Sequence, residues 1–285
     1  MKYEMYSCSA KVLLLCCCRV YNLAGSSDPM PIWERFLCGM SDIEPRAIIN
    51  GLRVRDRKMP WTVFLQVRFN KPRPLWGNCG GTILTKKHIL TAGHCLYFEN
   101  HLGQHVLIRY GSTVLDQAQS QLSTVFEAHP RYNDDNLEND VAVITLPKAL
   151  HFTEHVRPAC FPKNDVQLTG LTGVIAGWGH TSPSGQKGYV SPYLQFTTQT
   201  FMDQEYCFKK LGSEYYNVST MLCAYKATYD ACQGDSGGGI LVPFTNRFYI
   251  VGIISFGVGC GDVRYPGAYS NVQAFRNWLT TKVHE

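Results

Sequence analysis

From Pro60 onward the chain is a succession of short apolar runs rather than long amphipathic stretches. "WTVFLQV" (61–67), "GTILTKKHILTA" (81–92), "VLIRYGSTV" (106–114), "DVAVITL" (140–146), "GVIAGWG" (173–179) and "RFYIVGIISFG" (247–257) are rich in β-branched and aromatic residues, and Gly, Pro, Asn and Asp clusters separate them. That pattern predicts many short strands closed into a barrel or a sandwich. The period changes at the tail. In "SNVQAFRNWLTTKV" (270–283), Val272, Phe275, Trp278 and Leu279 share one helical face, which predicts a helix packed on the body with Ser270 or Asn271 as its cap. No repeat or low-complexity tract interrupts the strands.

A chain of 285 residues, 45% hydrophobic and 17% charged, can bury a sizeable core as one large domain or two half-domains, which excludes disordered and fibrous classes. Its 25 Gly, 14 Pro, 16 Tyr and 14 Phe suit strands and turns better than helices. The net charge of +5 is a mild excess that says little about nucleic acid, for which a dense basic face would be expected. The one basic cluster, "RVRDRK" at 53–58, reads as a solvated surface, with a polyanion-binding patch as the alternative.

The first 25 residues read as a secretory signal: Lys2 and Lys11 precede "VLLLCCC" (12–18), and small residues "LAGSS" (23–27) follow Arg19. The apolar core is short for a signal and far too short to span a bilayer, so no stable membrane span is expected. The alternative is an acylated juxtamembrane cysteine cluster. Residues 26–47 form a polar, proline-containing segment too small to fold alone. Four of the twelve cysteines (Cys8, Cys16, Cys17, Cys18) lie in the leader, leaving Cys38, Cys79, Cys95, Cys160, Cys207, Cys223, Cys232 and Cys260. An even, dispersed set without a CxxC pair reads as disulfides from an oxidising compartment rather than zinc ligands, and spacing alone leaves every pairing open. Asn217-Val218-Ser219 is an acceptor sequence for N-glycosylation.

"ACQGDSGGG" (231–239) sets Ser236 between glycines, where the backbone can turn sharply and present amides beside the hydroxyl. A serine nucleophile needs a base, and the base needs an orienter. "LTAGHCL" supplies His94 and "ENDVAVITL" supplies Asp140. The same serine fits the GxSxG elbow of an α/β hydrolase, but that fold needs its acid and its histidine downstream. Only Asp262, His284 and Glu285 remain there as candidates, and no helix–strand alternation surrounds the motif.

"LTAGHC", "NDVAVI", "DACQGDSGG" and "SFGVGCG…YPGAYSNV", in this order between Ile48 and Glu285, resemble a trypsin-like serine endopeptidase of the chymotrypsin family. The resemblance implies an all-β fold of two packed six-stranded antiparallel β-barrels with a C-terminal α-helix, occupying residues 48–285. It makes Ser236 the nucleophile, His94 the base and Asp140 its orienter, with Ser255 bonded to the aspartate. The backbone N–H groups of Gly234 and Ser236 would form the oxyanion hole. Asp230 matches the carboxylate at the base of the specificity pocket, Gln233 lies on the substrate cleft, and Gly257 and Gly267 match wall positions that lack side chains. Such a pocket selects Arg or Lys. Ala231 in place of the usual serine removes a hydroxyl that would solvate an ammonium, so Arg is expected over Lys.

Family pairing implies Cys38–Cys160, Cys79–Cys95, Cys207–Cys223 and Cys232–Cys260. A further family bridge is missing, with Gly173 and Val242 at its two positions. Other departures are Gly93 for alanine, Gly239 for proline and Phe256 for tryptophan. The loop that often binds calcium lacks paired acids and Pro266 stands where sodium-binding members carry tyrosine, so no metal and no cofactor are expected. The implied partners are protein or peptide substrates with Arg or Lys at the cleavage site, an activating protease and protein inhibitors, in the extracellular space, with no nucleic acid.

Members of this family are zymogens, and a new amino terminus inserts beside the aspartate before the nucleophile, here Asp235. The registering residue is Ile48, yet the obvious tryptic bond follows Arg46, so Ala47 intervenes. A cut there leaves the ammonium one residue out, about 3.3–3.6 Å along an extended chain. Either the cut or a trimming step passes Ala47, or the protein is a poorly activated or non-catalytic homologue acting as a binding module.

Overall fold

The computed structural model describes residues 38–41, 52–53, 59–70, 75–180, 190–227, 231–259, 262 and 264–283. The leader, the Arg46-Ala47-Ile48 junction, Asp230 and Cys260 lie outside them.

The first half is built from β2 (Thr62–Phe69), β3 (Leu75–Ile83), β4 (His88–Thr91), β7 (His105–Tyr110), β8 (Gln119–Ser123), β9 (Val125–Ala128) and β10 (Ala142–Thr145), with a small hairpin of β5 (Tyr97–Phe98) and β6 (His101–Leu102) beside it. Alternation drives it: Val63, Leu65 and Val67 of β2 are fully buried, while Phe64, on the other face, meets Trp178 of the second half edge-on at 6.1 Å. The run 81–92 is two strands, not one. Thr82 pairs with Leu90 and Ile83 with Ile89, and the polar "TKK" between them turns the chain, Thr85 Oγ1 lying 2.8 Å from His88 Nδ1.

The strand order is β8-β7-β2-β3-β4-β10-β9, all antiparallel, with β8 and β9 at the two edges. These are consecutive halves of one bent segment. Ser123 Oγ, at the bend, donates to the carbonyl of Thr145 on β10 at 2.6 Å. The sheet is thus a curled half-barrel, where the family pattern had implied a ring.

The second half does close. β11 (Thr172–Gly177), β12 (Gln195–Phe201), β13 (Met221–Tyr225), β14 (Gly239–Phe244), β15 (Arg247–Phe256) and β16 (Gly267–Asn271) run in the order β12-β11-β14-β15-β16-β13, and β13 pairs back to β12; β1 (Leu52–Arg53) adds to β12 outside the ring. A short helix, α1 (Gln204–Leu211), sits before β13. Asp203 caps it by accepting from the Tyr206 amide at 2.7 Å, and Gly212 ends it with φ +81°. The C-terminal helix, α2 (Arg276–Lys282), starts later than the periodicity predicted. Ser270 and Asn271 finish β16, and Phe275 is the cap position without a side-chain bond. The expected apolar face survives: Val272, Phe275 and Leu279 are buried, and Trp278 packs beside them.

Disulfides join Cys38 to Cys160, Cys79 to Cys95 and Cys207 to Cys223. Cys232 is also disulfide-bonded, and its expected partner Cys260 is outside the described residues. Around the first bridge, the Gly39 amide donates to Pro158 at 2.8 Å, its carbonyl accepts from Phe248 at 3.0 Å, and Arg247 donates to the Cys38 carbonyl at 2.7 Å. At the site of the missing bridge, the register Val174↔Leu241 and Ile175↔Ile240 extends to Gly173 opposite Val242. A Cβ on Gly173 would lie 2.6 Å from Ile240 Cγ1 and 2.9 Å from Phe201 Cε2, so apolar packing fills the space a bridge would use. Gly173→Ala should therefore destabilise the protein by about 1–3 kcal/mol through overpacking. The expected outcome is a lowered Tm in thermal melting; an unchanged Tm would contradict this account of the missing bridge.

Candidate active site

Strand register brings the base to its orienter. Thr91 pairs with Ala142, and continuing past both strand ends sets Asp140 opposite Gly93, one residue from His94. Asp140 is fully buried, and its carboxylate is saturated with donors. The His94 amide donates to Oδ1 at 2.9 Å, His94 Nδ1 lies 2.8 Å from Oδ2, and Ser255 Oγ donates to Oδ2 at 2.5 Å. Ser270 Oγ donates to the Asp140 carbonyl at 2.6 Å. Burial alone would protonate this carboxyl, but the His94 charge, the His94 hydrogen bonds and the Ser255 hydroxyl outweigh it and hold its pKa below the ordinary value. With a carboxylate at Nδ1, that nitrogen carries the proton of the neutral ring and Nε2 keeps the lone pair. Burial also opposes the imidazolium, yet the Asp140 charge and hydrogen bond, then the charge of Asp134, raise the His94 pKa above 6.5.

The nucleophile loop is fastened to the same place. The Ser236 carbonyl accepts from the Gly80 amide at 2.7 Å. Gly80 follows Cys79, which is bridged to Cys95, the neighbour of His94. Cys95 Sγ lies 3.9 Å from His94 Nε2 and 3.4 Å from the Ser236 carbonyl oxygen, so base and serine share one wall. Gly237, at φ +81°, is required here, since a Cβ would fall 2.2 Å from Thr91 Oγ1 and 2.7 Å from the Gly80 carbonyl.

Amide direction follows from planarity. The Gln233 carbonyl accepts from the His180 amide at 2.9 Å, and the Asp235 carbonyl accepts from the Gly238 amide at 2.9 Å. In a trans peptide the N–H points opposite to the C=O, so the N–H groups of Gly234 and Ser236 are turned away from these anchors, and Gly234 takes φ +96°. Sequence reasoning named both donors but not His180, whose part is played by backbone alone. Ser270 was missed because it was read as a helix cap.

Ala231, Gln233, Ser236, Ser255, Phe256, Gly257 and Gly267 line one cavity of about 260 Å³. Phe256 packs on the cluster around the Cys207–Cys223 bridge. The Asp235 carboxylate sits beyond the loop, accepting from Gly179 at 2.7 Å and from Cys232 at 3.0 Å. Cβ atoms on Gly177 or Gly179 would fall 2.0 and 2.4 Å from it, so both glycines are needed to seat it. His94, Cys79 and Cys95 also gather within 4.8 Å, but the two sulfurs are bonded to each other and neither is the thiolate a zinc ion needs.

Gly93 also finds its reason. A Cβ there would be 2.8 Å from Tyr132 Cδ2, so the missing methyl admits the Tyr132 ring against the backbone before His94. Tyr132 in turn donates to Asp134 at 2.6 Å, and the Asn100 amide donates to the other oxygen at 3.1 Å. Asp134 is thereby held as a second carboxylate near the base.

Because catalysis by His94 needs the neutral ring, kcat/KM should fall on the acid side with a midpoint above 6.5. The same raised pKa contributes stability that is full below the unfolded-state value and fades as pH rises through the folded one. Asp134→Asn keeps an acceptor but removes the charge, so its acid midpoint should move down while plateau kcat holds. A pH–rate series on both proteins checks this, and an upward shift would contradict it.

A family model described as Trypsin matches residues 48–279. The chain is similar to serine proteinase stubble of Drosophila melanogaster, 30% identical over 248 residues, covering 83% of this chain and 31% of that protein. It is 34% identical to trypsin epsilon of Drosophila erecta over 240 residues, covering 84% of this chain and 88% of the relative. Transmembrane protease serine 11B of Homo sapiens is 29% identical over 246 residues, covering 85% of this chain and 57% of the relative. Among the described residues no helix is long and apolar enough to cross a membrane. With His94, Asp140 and Ser255 joined in one hydrogen-bonded chain beside the loop of Ser236, the chain belongs to the trypsin family of serine endopeptidases.

Proposed function

We propose that this protein is a secreted zymogen that, once cut, hydrolyses peptide bonds after Arg and less well after Lys. The observation that carries the reading is the buried Asp140 holding His94 Nδ1 beside a cavity lined by Ser236, Gly257 and Gly267. Ser236 Oγ attacks the scissile carbonyl while His94 Nε2 takes its proton and later delivers it to the leaving amine. Asp140 keeps the tautomer and stabilises the imidazolium, and the Gly234 and Ser236 amides receive the oxyanion. Asp230 pairs with the cationic side chain of the substrate. The domain division is part of the proposal: a signal over residues 1–25, a short light chain over 26–47 and a protease domain over 48–285. The Cys38–Cys160 bridge keeps the light chain attached after the cut.

Activation places the ammonium of Ile48 beside Asp235, whose carboxylate is seated against Gly177 and Gly179. Ala47 favours a second reading. If nothing cuts or trims past it, the protein persists as a proenzyme or a binding module of protease shape. Secretion rests on the leader and the cysteine count; extracellular inhibitors and an activating protease follow as partners.

Amino-terminal sequencing of the secreted protein, together with titration by a serine-directed phosphonate, separates the two. An Ile48 start with stoichiometric labelling is expected. Any start with no labelling would place the protein with the binding modules. On matched peptides, kcat/KM for Arg should exceed that for Lys by about tenfold or more, the worth of one charge-assisted hydrogen bond. Equal values would remove the assigned role of Ala231.

A further inference from the structure

A second cavity, of about 220 Å³, opens beside α1 and the loop that follows it, lined by Glu138, Phe208, Glu214, Tyr215, Asn217 and Val218 among others. It is smaller than the sites that enclose drug-sized ligands and is of the order of a single ring. Its rim is apolar and wet: Phe208 is 45%, Tyr215 49% and Val218 47% exposed. Together these three side chains give the opening an apolar lip.

Asn217 lies in this rim and begins the acceptor triplet Asn217-Val218-Ser219. Its side-chain orientation is fixed by chemistry. Oδ1 accepts from the Ser219 amide at 3.0 Å, which only an oxygen can do, so Nδ2 is the atom 3.2 Å from Glu138 Oε1. An amide nitrogen has two hydrogens, and one suffices for Glu138. The other is free for substitution. The Asn217 carbonyl accepts from Met221 at 2.9 Å, which holds the residue in place as the loop re-enters β13.

From this the geometry points to Asn217 as an N-glycosylation site whose first sugar is seated in the cavity, its C–H face on Tyr215 and Phe208 and its hydroxyls toward Glu214. In the transfer, Nδ2 bonds to the anomeric carbon of a lipid-diphosphate-linked oligosaccharide, the carbon–oxygen bond to the diphosphate breaks, and the nitrogen loses one proton. The remaining N–H continues to donate to Glu138. Since Glu138 stands two residues before Asp140, the sugar braces the loop that carries the orienting carboxylate. This inference rests on passage of the chain through a secretory compartment, as proposed above.

The test compares three forms of the full secreted chain: native, trimmed by an endoglycosidase to one sugar, and Ser219→Ala. The substitution abolishes the acceptor triplet while leaving the Ser219 amide and the Asn217 side chain intact. Mass spectrometry should find the peptide containing Asn217 glycosylated. The trimmed protein should melt with the native one, and Ser219→Ala should melt about 2–4 °C lower. Tyr215→Ser, with the triplet kept, should carry the glycan yet show the same loss. An unmodified Asn217 in a protein whose leader has been removed overturns the inference alone. An uncut leader with bare Asn217 overturns the secretory reading as well. If the glycan is present but the trimmed form melts with Ser219→Ala, the seating in the cavity is wrong.

Discussion

One backbone hydrogen bond, from the Gly80 amide to the Ser236 carbonyl at 2.7 Å, is the point on which the rest of the structure turns. It crosses from the first half to the second, and it does so without side chains. Gly80, Gly237 and Gly238 let the two backbones touch, since a Cβ on Gly80 would lie 3.0 Å from the Gly238 backbone. One residue away, Cys79 reaches Cys95, and one residue further stands His94. Base and nucleophile therefore have a common mechanical origin although 142 positions separate them in sequence. Side-chain rotamer freedom contributes little error to their relative position, because the link is made of peptide groups and a disulfide.

The charge arrangement is built on the same economy of freedom. A buried carboxylate such as Asp140 is unfavourable unless donors surround it, and here they come from both halves: His94 near β4 supplies its amide and its ring, and Ser255 on β15 its hydroxyl, while Ser270 on β16 holds the Asp140 main-chain carbonyl. Ser255 and Ser270 both belong to the second half, so the seat of the orienting charge is complete only when both halves are assembled. Asp235 is handled differently, by glycines that make room and amides that donate.

Much of this was legible in the sequence, and the illegible parts have physical reasons. The strands at 172–177 and 247–256 are apolar on both faces and announce themselves. β12 does not: Thr197, Thr198 and Gln199 are polar yet nearly fully buried, and since consecutive strand residues alternate faces, hydropathy misreads a strand that buries polar residues on both sides. α1 is eight residues long, too short for a periodic signal, although its Asp203 and Gly212 ends were there to be read. The catalytic motifs were readable because each demands a particular side chain. The His180 anchor was not, because a backbone amide leaves no mark on the sequence. Gly93 was visible as a departure, but only the position of Tyr132 gives it a reason.

The Cys38–Gly39 contacts have a further consequence. The dipeptide is held by one covalent bond and by hydrogen bonds to Pro158 and Phe248, with Arg247 on the Cys38 carbonyl. It is a strip of borrowed edge, paired with the connection between the halves and with β15 at once. A peptide bond broken between Gly39 and β2 would therefore release one end and not the other. The upstream piece stays clamped at Cys38 and Gly39 as a fixed part of the body, and that anchor is the same before and after the break.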